Sequence, residues 1–248
     1  MDIKKMLAVA TAVVGTVAVA DVVSSSVVGY ATTELQTGAK ATGASFVTIG
    51  ETGCRLTNIA PAGFDKTTGG VAIQILNNYG RTTKTYKYYK GGRGSYAIEG
   101  WYDETTRITP ENDVVFAPGT GLWITGTDGF TFRTSGQVLF DDVVCNLRTG
   151  ATMLSNPYPM AVKLTNITPA GFDKTTGGVA IQILNNYGST TKTYKYYKGG
   201  RGSYATEGWY DGTTRITPEN DVAFEPGAGL WVTGSDGYTL TFSLGEVD

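Results

Sequence analysis

Val71-Ala-Ile-Gln-Ile-Leu76, closed by Asn77-Asn78, and the run Thr83 to Lys90 that follows it decide the fold class. The first is a β-rich run ended by turn-forming residues. In the second, Lys84, Tyr86, Tyr88 and Lys90 point one way and Thr85, Lys87 and Tyr89 the other, the two-residue period of a strand. The same grammar continues outward. Gly91-Gly92-Arg93-Gly94 is a break, and Ser95 to Asp103 resumes the extended pattern through Trp101 and Tyr102. Pro118-Gly119 precedes Leu122-Trp123-Ile124-Thr125, and Asp128-Gly129 is a hairpin turn before Phe130-Thr131-Phe132. With Ala44 to Ile49 and Val138 to Val144, this predicts about seven strands in one unit. The expectation is an all-β fold, sandwich-like or a small barrel. Pro61 to Lys66 is the place where a single turn of helix is expected.

The unit occurs twice. Leu56 to Phe132 matches Leu164 to Leu240 without a gap, at a constant offset of 108 residues, and both copies contain GFDKTTGGVAIQILNNYG and TTKTYKYYKGGRGSYA. Such similarity requires one fold for both copies. The expected organisation is a leader over 1–20, an N-terminal strand segment with the first β domain over 21–147, and a second β domain over 148–248. Any surface site is then present twice, and two linked sites gain apparent affinity when engaged together.

Composition narrows the chemistry. The chain has 248 residues, a net charge of −2 and no His. Without a basic excess, a phosphate backbone is a poor partner, so nucleic acid is not expected. Without His there is no Ser-His-Asp or Cys-His constellation and no His-containing zinc site. Met1 to Ala20 has Lys4 and Lys5 ahead of the apolar stretch Met6 to Val17, then Ala18-Val19-Ala20, a small-x-small cleavage signature. That is the pattern of a secretory leader, shorter than the ~20 apolar residues of a membrane span. Export is expected, with no membrane span in the mature chain. Cys54 and Cys145 are then free to oxidise. An intrachain bridge is favoured and would contribute about 4 kcal/mol by loop entropy; a bond between chains is the alternative, and two buried free thiols are the reading that export disfavours.

The chain ends carry a further pattern. Gly245-Glu-Val-Asp248 corresponds to Gly136-Gln-Val138, so the second domain is expected to lack the strand that follows Val138 in the first. An unpaired sheet edge invites strand addition. The segment Asp21 to Tyr30, through Val22, Val23, Val27, Val28 and Tyr30, is a candidate assembly strand that would fill this edge on the next molecule. Such a head-to-tail contact does not close and would build a filament. The competing reading, which is the favoured one, pairs that segment within its own chain or leaves it a disordered leader.

The candidate binding residues are aromatic. Tyr86, Tyr88, Tyr89, Trp101 and Tyr102 recur as Tyr194, Tyr196, Tyr197, Trp209 and Tyr210. Their faces could stack on sugar rings or on a partner subunit, or they could be cross-strand pairs of a core. Glu99 with Asp103, and Glu111 with Asp113, are the carboxylate pairs available for acid–base work, but no cleft is legible around them. No catalytic residue, cofactor or metal site is expected.

Val27-Val28-Gly29-Tyr30, Gly100-Trp101-Tyr102-Asp103 and Pro118-Gly119-Thr120-Gly121-Leu122-Trp123 resemble an uncharacterised family of exported bacterial proteins. Its members begin with a V-G-Y segment and carry G-x-G-[FL]-W strands in β-rich repeats. The resemblance covers most of the mature chain. It implies an exported, surface-associated role and brings no activity, cofactor or site residue. The expected function is therefore structural, a non-enzymatic subunit of an extracellular filament, sheath or surface layer that partners itself. The alternative is a carbohydrate-binding adhesin that uses the duplicated ribbon on surface glycans.

Overall fold

Alternation along each run places apolar residues on one side of the backbone and polar ones on the other, and two such surfaces close into a layered unit. The computed structural model describes residues 27–64, 70–92, 94, 96–173, 178–200, 202, 204–214 and 217–245. The expected leader over 1–20 and the candidate assembly residues Val22 and Val23 lie outside them. The fold is all-β and built from two repeated units, and every pairing between its strands is antiparallel.

The first unit runs through β1 (Val28–Glu34), β2 (Gly38–Gly43), β3 (Cys54–Arg55), β4 (Ile59–Ala62), β5 (Ala72–Leu76), β6 (Thr82–Tyr89), β7 (Gly100–Asp103), β8 (Val115–Phe116), β9 (Gly121–Gly126) and β10 (Thr131–Gln137). A five-stranded sheet has the order β2-β9-β5-β6-β7, a three-stranded sheet β1-β10-β4, and β3 pairs with β8. Ile73, Leu122 and Ile124 from the larger sheet and Ile59 and Phe132 from the smaller one share one core. The second unit repeats this with β11 (Val143–Asn146), β12 (Gly150–Ser155), β13 (Val162–Lys163), β14 (Ile167–Ala170), β15 (Ala180–Leu184), β16 (Thr190–Tyr197), β17 (Gly208–Asp211), β18 (Ala223–Phe224), β19 (Gly229–Gly234) and β20 (Thr239–Phe242). It has its own core, formed by residues such as Leu164, Ile181, Leu230 and Phe242.

Several expectations are corrected. The strand near Val144 belongs to the second unit: β11 pairs with β20, Val143 opposite Phe242 and Asn146 opposite Thr239. β20 is therefore flanked by β11 and β14, and the edge expected to be open is filled. The structural equivalent of β11 is β1, which pairs with β10 of its own chain, Val28 opposite Gln137 and Glu34 opposite Thr131. Val28 and Tyr30 thus serve an internal sheet edge, and the main-chain carbonyl of Val27 accepts from Val138 N–H. Of the turn expected over Pro61 to Lys66, Pro61 and Ala62 lie in β4 instead, and Asp65 and Lys66 lie outside the described residues. Proline suits an edge strand, and β4 is the edge of its sheet.

The disulfide is also absent. Cys54 and Cys145 are free thiols. Cys54 belongs to the first core, whereas β11 carries Cys145 into the second. Burial pushes each thiol up to about 12, so neither is a ready nucleophile.

Candidate functional site

β5 and β9 alternate between the core and the outer face. Trp123 lies between the fully buried Leu122 and Ile124, and Gln74 follows the buried Ile73. Gln74 and Trp123 face each other directly across the ladder. Gln182 and Trp231 do the same in the second unit. A large amphipathic ring beside a carboxamide on a sheet face is a surface suited to a ligand with both apolar and hydroxyl-bearing sides.

The hairpin between β5 and β6 has the tip Asn77-Asn78-Tyr79-Gly80, and each residue has a separate part. Asn77 Oδ1 accepts from the backbone N–H of Tyr79 (2.9 Å) and Arg81 (3.0 Å), which fixes the turn. Asn78 reaches the other unit: its Nδ2 donates to Thr149 O (2.7 Å) and its carbonyl accepts from Ala151 N–H (3.0 Å). Tyr79 stands out into solvent, 75% exposed. Gly80, at φ 75°, leaves room for Trp231 of the other unit. The second tip mirrors this: Asn185 holds the turn, Asn186 bonds Thr37 and Ala39 of the first unit, Tyr187 is 79% exposed, and Gly188 meets Trp123.

Docking of the units this way encloses a cleft of about 400 Å³. It is lined by Gln74, Leu76, Tyr79, Gly80, Thr82 and Trp123 with Gln182, Leu184, Tyr187, Gly188, Thr190 and Trp231. No lining residue is an acid, a Lys or an Arg. Among the described residues, the Gln amides, the two Trp N–H groups, the two Tyr hydroxyls and the two Thr hydroxyls of the cleft bond no other side chain or backbone group. The other two tryptophans differ: Trp101 Nε1–H donates to Ile59 O (2.9 Å) and Trp209 Nε1–H to Ile167 O (2.8 Å). The cleft thus offers two indoles, two phenols and a set of neutral donors and acceptors to an occupant.

The residues singled out from the sequence lie elsewhere. Trp101 and Trp209 are 1% exposed, and Tyr86, Tyr102, Tyr194, Tyr196, Tyr197 and Tyr210 are buried. Tyr88 and Tyr89 are partly buried, Tyr88 edge-on to Trp101 and Tyr89 stacked on Tyr96. The hydroxyls are engaged too. Tyr88 donates to Glu99 (2.9 Å), Tyr196 to Glu207 (2.7 Å) and Tyr102 to Ile98 O (2.7 Å). Burial, and then the Glu99 contact, pushes Tyr88 up to about 12. The ribbon is interior structure because β6 is covered on both faces: Tyr86 and Tyr88 turn toward the core, and Tyr89 and Tyr102 gather with Tyr96 on the other side.

The carboxylates are structural partners as well. Asp103 pairs with Lys84, and Asp113 with Arg55 (2.6 Å). Among the described residues no group of three or more Cys, Asp or Glu is placed to hold a metal ion, and no helix is long and apolar enough to cross a membrane. The cleft residues were missed because Gln74 reads as a strand residue and Tyr79 as a turn residue. The usable signals were the lone polar residue in Val71–Leu76 and an aromatic at a hairpin tip, both repeated. Comparison with protein-family models, with curated proteins and with solved structures finds no match to the chain.

Proposed function

We propose that this chain is an exported, non-catalytic protein that binds neutral carbohydrate in the cleft between its two repeats. The observation that carries the reading is the lining itself: paired indoles and phenols beside amides and hydroxyls without protein partners, and no charged side chain. Pyranose rings present an apolar face of C–H groups and an edge of hydroxyls, which such a lining complements. Phosphorylated or uronic ligands would bring charges that no lining residue neutralises. With no acid or base in the cleft, proton transfer to a bound glycan has no agent.

The chain's own assembly is the second reading. β1 is the edge strand of its sheet, with Tyr30 67% exposed. An assembly of this kind would use the β1 edge, since β20 of the second unit is flanked by β11 and β14.

One preparation addresses both. Intrinsic tryptophan fluorescence of the protein is titrated with neutral oligomers of β-1,4-linked glucose, β-1,4-linked N-acetylglucosamine and α-1,4-linked glucose. Saturable quenching by one of them, weakened about tenfold or more (roughly 1.4 kcal/mol) by Trp123→Ala, is expected. Open-ended multimers in sedimentation, with no quenching by any glycan, would favour assembly instead. Binding of a proline-rich peptide in place of every glycan would replace the ligand class.

A further inference from the structure

We infer that the duplication builds one composite site, not two, and that this site takes an internal stretch of a single unbranched glycan chain in either direction. The inference rests on the carbohydrate reading above and adds number, polarity and the part of the chain recognised.

The six lining residues from the first unit and the six from the second are the same six, each pair separated by 108 residues. The contacts that orient the units obey the same exchange. Ala39 N–H donates to Asn186 O (3.0 Å) and Ala151 N–H to Asn78 O (3.0 Å). Asn186 Nδ2 donates to Thr37 O (2.9 Å) and Asn78 Nδ2 to Thr149 O (2.7 Å). The bridge between Thr42 and Ala228 maps onto the one between Leu154 and Thr120. Reciprocal contacts of this kind define a two-fold rotation, here within one chain. Gly43 and its equivalent Ser155 touch each other, so the axis passes beside them.

Each half of the cleft draws on both units. Trp123 of the first is met by Gly188 of the second, and Trp231 of the second by Gly80 of the first. Neither unit alone presents a complete half. A ligand lying across the axis therefore meets a tryptophan, a glutamine and a tyrosine on each side of its midpoint. A glycan chain has two unlike ends. A site whose halves are equivalent holds no group that reads one end alone, so recognition falls on the repeating middle of the chain. The exchange is broken where Arg81 stands for Ser189 after the tip and where Ala41 stands for Met153 beside the indole, and the strands that carry the latter pair also differ at Lys40 and Thr152, Thr42 and Leu154, and Gly43 and Ser155.

The test is calorimetric titration of the full chain with the oligomer series named above, two to eight units long, with reducing ends free or reduced to the alditol. One chain bound per protein is expected. Affinity should rise with length and then level off, and blocking the end should change it by less than about twofold. The mirror variants Trp123→Ala and Trp231→Ala should weaken binding by factors within about threefold of each other, as should Gln74→Ala and Gln182→Ala, whose side chains lie outside the cores. A stoichiometry of two, a loss on end-blocking, or mirror variants differing by more than about tenfold would overturn the inference while leaving carbohydrate binding intact. Absence of heat with every oligomer would instead remove the carbohydrate reading on which it rests.

Discussion

Residues of one type divide sharply here by where their polar atoms end. Trp101 and Trp209 give their N–H to backbone carbonyls in the cores, while Trp123 and Trp231 keep theirs at the cleft. The two cysteines divide by core, one in each unit. A thiol count in denaturant without reductant should therefore find two free thiols per chain, and the native protein should react far more slowly, because burial holds both thiols near 12. Finding none in denaturant would restore the disulfide. The sequence reveals two cysteines, and the export expected from Met1 to Ala20 would favour their oxidation. It does not reveal that β11 belongs to the second unit, and that placement separates them.

At the level of elements, β16 and β17 are tied by more than their ladder. Lys192 pairs with the nearly buried Asp211, which also accepts from Thr213 N–H (2.6 Å) and Thr214 N–H (3.1 Å). The Lys192 bond first, and then these backbone bonds, hold the carboxyl down to about 2. Its value in an unfolded chain is about 3.9. A depressed carboxyl stabilises the fold fully above its unfolded value and loses that contribution as pH falls through its folded one. Stability from denaturant titrations should thus drop between about pH 4 and about pH 2. Asp211→Asn should lower stability at pH 7 and flatten the acid slope; an unchanged slope would remove the pair from the account. The long alternating strands were legible because Tyr86, Tyr88 and their neighbours carry the period themselves. The pairings of β1 and β11 were not, because their registers are set by partners on β10 and β20, close to a hundred residues away.

Over the whole molecule, the close approach at the axis governs how the cleft is shaped. A Cβ on Gly43 would overlap Ser155 Oγ and stand 2.8 Å from Thr120 O, with backbone and a bonded hydroxyl as the obstacles. Gly43→Ala should therefore force the units apart, lower stability by about 1–3 kcal/mol in denaturant titrations and weaken ligand binding with it. Wild-type values for both would show that the units tolerate a wider spacing. That two units exist was plain from the offset of 108. Their mutual rotation was hidden, because the first strands obey a different offset: Gly38–Gly43 and Gly150–Ser155 are 112 apart. The aromatic ribbon drew attention for its density, yet density of rings marks a core as readily as a binding face.

The reciprocal grip of the hairpin tips also sets a rule of counting. Each unit has one tip and one receiving strand, and in this chain both of each are used. A third unit added in line would find neither a free tip nor a free receiver, and a solitary unit would be left with one of each. Units of this design are complete only in twos, so lengthening the chain by single duplications gains nothing at this face, whereas pairing, within a chain or between two, satisfies it fully.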